Sequence, residues 1–150
     1  LTSNGAYTIT TKSTSSLKPA SKRIADSIPT IPISLSLDDQ AFIIRDEDGG
    51  FVSEYFWAAY GASDGTGWIR LEIVHDTTWN MSPTYIVDGT FEEAYYYTTA
   101  DGYEFLITAD GDTVWADCTT AKTSVSLYGA YLTTADIEQI AEHLAVSIAD

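Results

Sequence analysis

Cysteine occurs once, at Cys118, so the chain has no internal disulfide and cannot build a cysteine-based metal cluster by itself. A single thiol in a strand-like run is expected as a small core residue. Basic residues are also scarce: seven Lys and Arg stand against 22 Asp and Glu, for a formal net charge of -15. A surface this acidic repels phosphate backbones and anionic lipid, which argues against nucleic acid as a partner. It suits a secreted or cell-surface domain and equally a high-salt cytoplasm. Long apolar runs are missing. None approaches the roughly 20 residues needed to span a bilayer, so no direct membrane span is expected. Leu1 is followed at once by polar residues rather than by a signal-peptide core.

What is present is enough apolar material for one folded domain: 150 residues, 45% hydrophobic and 13% aromatic. Residues 1–16 read as a linker or tether of short polar side chains, in which 6–10 has weak strand character. The start at Leu1 without Met, with the Ser/Thr-rich Thr8 to Ser16 behind it, suggests a tether following a removed signal or membrane segment. Residues 17–150 are expected as a single α+β domain. Lys22 to Ile28 is compatible with a short N-terminal helix that Pro29 would end.

The clearest element lies near the C-terminus. In Leu132-Thr133-Thr134-Ala135-Asp136-Ile137, Thr133 is placed to cap free amides, Asp136 to reach back, and Leu132 to staple onto Ile137. Ile137, Ile140, Ala141, Leu144 and Ile148 then recur at helical spacing, which predicts an amphipathic helix over Thr134 to Ile148. Upstream, period-two runs predict strands at 31–37, 41–46, 51–60, 68–76, 84–88, 92–98, 103–108, 113–118 and 123–128. Asp-Gly turn signals fall at Asp88-Gly89, Asp101-Gly102 and Asp110-Gly111. Connections this short require antiparallel neighbours, so the expected fold is an antiparallel curved sheet, a meander, with the C-terminal helix packed on one face. Ile69, Leu71 and Ile73 should face the core.

The second half resembles an extracytoplasmic domain of unknown function found in Gram-positive bacteria behind a transmembrane helix. Val87-Asp88-Gly89, Ala94-Tyr95 on the next strand, the strand with Trp115, the late Tyr128 and the run Leu132 to Leu144 carry that resemblance. It implies a membrane-anchored protein of the anti-sigma-associated type, similar in shape to curved-sheet lipoprotein carriers. It brings no catalytic residues. Ala116-Asp117-Cys118 departs from the family pattern in lacking a glycine, and the first half carries no matching motif. Fold alone does not fix activity.

No motif carries chemistry. An EF-hand loop starting at Asp46 would need glycine at Phe51 and glutamate at Trp57; one starting at Asp110 would need them at Trp115 and Ala121. His75 and His143 lie on different elements without HExxH spacing, so both are expected as surface histidines. There is no GxSxG elbow, the Glu92-Glu93 pair is unremarkable in so acidic a chain, and Gly61, Gly65 and Gly67 punctuate a turn without a following Lys. No cofactor and no metal are expected.

The aromatics are left. Phe56, Tyr60 and Trp68 are assigned to the phase opposite Tyr55, Trp57 and Ile69, and Tyr95-Tyr96-Tyr97 must place rings on both faces of its strand. The candidate binding face is therefore Phe56, Tyr60, Trp68 and Tyr96, with Trp57 and Trp115 as protected rings. The expected function is a non-enzymatic extracytoplasmic sensor or binding module, extracellular or at the cell surface, for a protein, peptide, lipid or glycan ligand. One alternative is a carbohydrate-binding module using exposed aromatics. Another is a small secreted hydrolase, which would need a cleft holding a perturbed carboxylate or histidine.

Since no loop has the spacing of a dedicated calcium or zinc site, EDTA is expected to leave the melting temperature unchanged. A drop of many degrees that added calcium reverses would overturn that reading of the acidic turns.

Overall fold

The computed structural model describes residues 2–4, 7–13, 35–48, 50–62, 65–82 and 91–145. Among them, nine strands form one antiparallel curved sheet, and one helix packs on it. In chain order the strands are β1 (Thr2–Asn4), β2 (Tyr7–Ser13), β3 (Ser36–Glu47), β4 (Gly50–Gly61) and β5 (Trp68–Asp76), then β6 (Glu93–Thr98), β7 (Glu104–Asp110), β8 (Thr113–Thr119) and β9 (Thr123–Ala130). The helix α1 is Thr134–Ala145. No helix among the described residues is long and apolar enough to cross a membrane.

The sheet order is β1-β2-β3-β4-β5-β9-β8-β7-β6. Two meanders therefore run toward each other and join where β5 pairs with β9, the one pair of neighbours among the described strands that are not consecutive in chain order. Within the 1–16 stretch expected as linker, β1 and β2 extend the sheet beyond β3, with Ile9 opposite Arg45 and Thr11 opposite Ile43. Threonine and tyrosine are β-formers as well as polar residues, and a polar edge strand has the composition of a tether. β3 takes in the strand expected at 41–46 and the end of the one expected at 31–37, whose residues 31–34 lie outside the described residues. The expected helix at 22–28, the strand at 84–88 and the end of the C-terminal helix at Ile148 lie outside the described residues.

One face of the sheet is apolar because paired residues on adjacent strands share a face. Ala58 pairs with Leu71, Leu71 with Leu127, Leu127 with Ala116 and Ala116 with Ile107, giving a continuous buried row across five strands. Ile69, Leu71 and Ile73 are almost fully buried, as their alternation predicts. Cys118 is likewise a buried core residue.

The helix covers this face over β7 and β8. Its start is a reciprocal capping box: the Asp136 amide donates to Thr133 Oγ1 at 3.1 Å, and the Thr133 amide donates to Asp136 Oδ2 at 3.0 Å. Ile137, Ile140, Ala141 and Leu144 are fully buried, and Leu132 packs against the same core. Farther along, Glu142 accepts the Tyr97 hydroxyl at 2.5 Å and the Ala100 amide at 3.1 Å, tying the helix to the β6–β7 hairpin. That bond, before burial, pushes the Tyr97 phenol up to about 12. Close approach at the β9 end requires Gly129, because a Cβ there would lie 2.5 Å from the Trp68 carbonyl oxygen.

Ile140→Ala is expected to cost about 2–5 kcal/mol, the range for truncating a fully buried Ile. A loss in urea melts below about 0.5 kcal/mol, the scale of a surface substitution, would place Ile140 on the surface.

Candidate functional site

The face away from α1, the outer face, is built by the residues that alternate with the core. Two adjacent cross-strand rows define it. The first is Trp57–Glu72–Ser126–Asp117–Leu106–Tyr96, and the second is Ala59–Arg70–Tyr128–Trp115–Thr108. Where the rows cross β4, β5, β9 and β8 they line a cleft of about 290 Å³, with Trp57, Trp115 and Tyr128 as its aromatic walls and Arg70, Glu72, Ser126 and Asp117 as its polar groups. Four strands of one sheet thus position every side chain of the site.

Neighbours hold these side chains. The Arg70 guanidinium donates to the Tyr128 hydroxyl at 3.1 Å and lies 5.2 Å from the centre of the Trp68 ring, in cation–π range. Trp68 in turn meets Tyr128 edge to face at 5.0 Å. Phe91 backs Trp115 edge to face at 5.5 Å. The Tyr55 hydroxyl donates to Glu72 Oε1 at 3.0 Å, and burial together with that carboxylate pushes the phenol up to about 12. Ser126 donates to Asp117 Oδ1 at 2.5 Å. Burial pushes the Asp117 carboxyl above the ordinary carboxylate range, and the Ser126 bond only partly offsets this.

The four expected site residues separate. Phe56 and Tyr60 are core residues, 0% and 6% exposed, and do not belong to a binding face. The reason is register: Phe56 pairs with Ile73 and Tyr60 with Ile69, so even positions of β4 share a face with odd positions of β5. Trp68 is on the outer face with Arg70 and Glu72, half-buried, and acts as a buttress behind Tyr128 and Arg70. Tyr96 is 56% exposed in the row of Asp117 but two strands away from it, outside the cleft. The rings expected to be protected, Trp57 and Trp115, are instead half-buried walls of the cleft. Tyr128 also belongs to the site, and the alternation Leu127-Tyr128 next to buried Leu127 was the available signal.

A second polar group lies on the core face. Glu54, His75 and Thr123 form one cross-strand row, 1%, 2% and 3% exposed, and His75 Nδ1 is 2.9 Å from Thr123 Oγ1. The expectation of a surface histidine therefore holds for exposed His143 but not for His75, whose odd position places it in the phase of Ile69, Leu71 and Ile73. Burial this deep gives a substrate no access to the row. Among the described residues, no group of three or more His, Cys, Asp or Glu side chains is gathered to hold a metal ion.

Compared with protein-family models, curated proteins and solved structures, the chain matches none.

Asp117 and Asp76 link stability to pH with opposite signs. A carboxyl raised on folding favours the fold at low pH, and that contribution is lost as pH rises through its raised value. Asp76 is lowered: burial alone would raise it, but the Thr78 hydroxyl and amide and the Arg45 and His75 charges outweigh burial. Its contribution is present at neutral pH and lost as pH falls through its lowered value. Asp117→Asn is therefore expected to be more stable than the parent at pH 7 in urea melts, with the difference closing below the ordinary carboxylate value of about 3.9. A difference that stays constant with pH would trace to packing rather than to charge.

Proposed function

We propose that this protein is a non-enzymatic binding module whose ligand seats in the outer-face cleft. The observation that carries the reading is the arrangement around that cleft: two indoles and a phenol wall a space whose polar groups are each held by a neighbour. Concave sites with a few convergent polar groups on rigid elements are the usual form of ligand seats, and groups fixed in advance lose less entropy on binding. The catalytic motifs absent from the sequence are not needed for this role.

An extracytoplasmic, membrane-anchored setting is part of the same proposal. It draws on the acidic composition and on the resemblance carried by residues 87–144. A sensor role would follow if the anchored protein also carried a cytoplasmic segment.

One observation favours a second reading. A small hydrolase requires a perturbed carboxylate in a cleft, and Asp117 is a raised carboxyl lining one that also holds Glu72.

The two readings separate in one experiment. Indole N–H resonances of Trp57 and Trp115, assigned by Trp→Phe variants, are followed while peptide, lipid and glycan panels are added, and each mixture is then assayed for cleavage. Shifts confined to those two indoles, with the added compound intact, are expected. Cleavage that Asp117→Asn abolishes while the shifts persist would establish the hydrolase. Shifts confined to other tryptophans would remove the cleft as the site.

A further inference from the structure

We propose that the cleft takes a neutral saccharide, one sugar ring lying over Glu72, Ser126 and Asp117 between Trp57 and Trp115. This rests on the binding-module reading and adds the chemical class of the ligand.

Size is the first constraint. At about 290 Å³ the cleft is at the lower end of the roughly 300–1,000 Å³ usual for small-molecule sites. It suits a unit of one ring with its neighbours extending outward along the sheet. Trp57 on β4 and Trp115 on β8 both line the cleft and are three strand spacings apart, about 14 Å between backbones, so they bracket the space instead of filling it. Aromatic faces match the C–H faces of a pyranose, which are the apolar part of an otherwise polar molecule.

Hydrogen-bonding capacity is the second. Glu72 accepts from Tyr55 on Oε1 and Asp117 accepts from Ser126 on Oδ1, which leaves acceptor capacity on both carboxyls. Arg70 donates one of its five N–H groups to Tyr128. The cleft thus offers acceptors on Glu72 and Asp117 and donors on Arg70 in the adjacent row, and a vicinal diol, which donates and accepts from adjacent oxygens, satisfies both kinds.

Charge decides among ligand classes. An anion would meet two carboxyls on a chain of net charge -15. A cation would sit beside the Arg70 guanidinium, which is held in place by Trp68 and Tyr128. An apolar lipid tail or hydrophobic peptide side chain would bury Glu72 and Asp117 without replacing their water. A neutral polyhydroxylated ring avoids all three costs.

The test uses the whole chain and four probe sets: neutral gluco-, galacto- and N-acetylglucosamine oligosaccharides; tetramethylammonium; an anionic oligouronate; and an apolar peptide. Titration calorimetry and tryptophan fluorescence read the binding. At least one neutral oligosaccharide is expected to bind with little dependence on salt. Trp57→Ala and Trp115→Ala are each expected to weaken it by roughly tenfold or more at an unchanged melting temperature; Trp57→Phe and Trp115→Phe keep an aromatic face if the alanine variants do not fold. Binding of only the ammonium, the oligouronate or the peptide, lost in the same variants, would overturn the saccharide assignment and leave the binding module standing. Binding of no probe, with both indoles unperturbed, would overturn both.

Discussion

Everything in this fold depends on the pairing of β5 with β9. Residues 68–75 meet 123–130 in a continuous antiparallel register, and this seam joins two meanders that are otherwise separate in sequence. Its two faces carry the two halves of the protein's physics. On one, Leu71 meets Leu127 and Ile73 meets Val125 in the core; on the other, Arg70 meets Tyr128 and Glu72 meets Ser126 in the cleft. A slip of one residue would exchange the faces, burying a guanidinium and a carboxylate and exposing the core aliphatics. Local chemistry guards both ends. Gly129 admits the Trp68 carbonyl at one end, while at the other Lys122 Nζ donates to the Thr77 and Trp79 carbonyls, and its own carbonyl accepts the Asp76 amide.

Tyrosine hydroxyls recur as the devices that hold charged groups in place. Tyr55 holds Glu72, Tyr128 holds Arg70, and Tyr97 is held by Glu142. Each pairing joins a ring that packs to a charge that would otherwise sweep through solvent. Bonds to charged groups are the stronger class, at about 1.5–3 kcal/mol, though solvent screens the exposed Tyr55–Glu72 and Arg70–Tyr128 pairs and lowers that figure. Their greater effect is geometric, since they fix rotamers on both sides of the sheet at once.

Elements with a strong period or a local signature were legible in the sequence. The Thr133–Asp136 box, the buried stripe of α1, the alternation of β5 and the hairpins closed by Gly102 and Gly111, both at positive φ, follow from short-range rules. The antiparallel class followed from loop lengths. Face assignment across a loop was not legible, because parity within a strand says nothing about parity in its partner until the register is known. Phe56 and Tyr60 were misplaced for that reason, and His75 was assigned to the surface although it shares the phase of its strand's aliphatics. The cleft was hidden for a related reason: its members are distributed over residues 57–128, and only the non-consecutive β5–β9 contact brings Trp57 and Arg70 to the side of Trp115 and Asp117. Of the N-terminal strands only a weak strand at 6–10 was legible, because threonine-rich sequence serves equally as tether and as polar edge.

The jump from β5 at the middle of the sheet to β6 at its edge also bears on how the chain reaches this state. Apart from β2 and β3, which residues 14–35 separate, successive strands of each meander are joined by short loops, and hairpins of that kind form on the microsecond scale, about 1–10 μs. Docking them requires β5 to wait until β9 exists, with Arg70 and Tyr128 separated by 58 positions, and non-local pairing of this sort slows folding. During the wait, two aliphatic-bearing strands present open edges to any other chain that has reached the same stage. The large excess of negative charge repels those half-formed neighbours. The acidic composition thus protects the chain while the seam is still open.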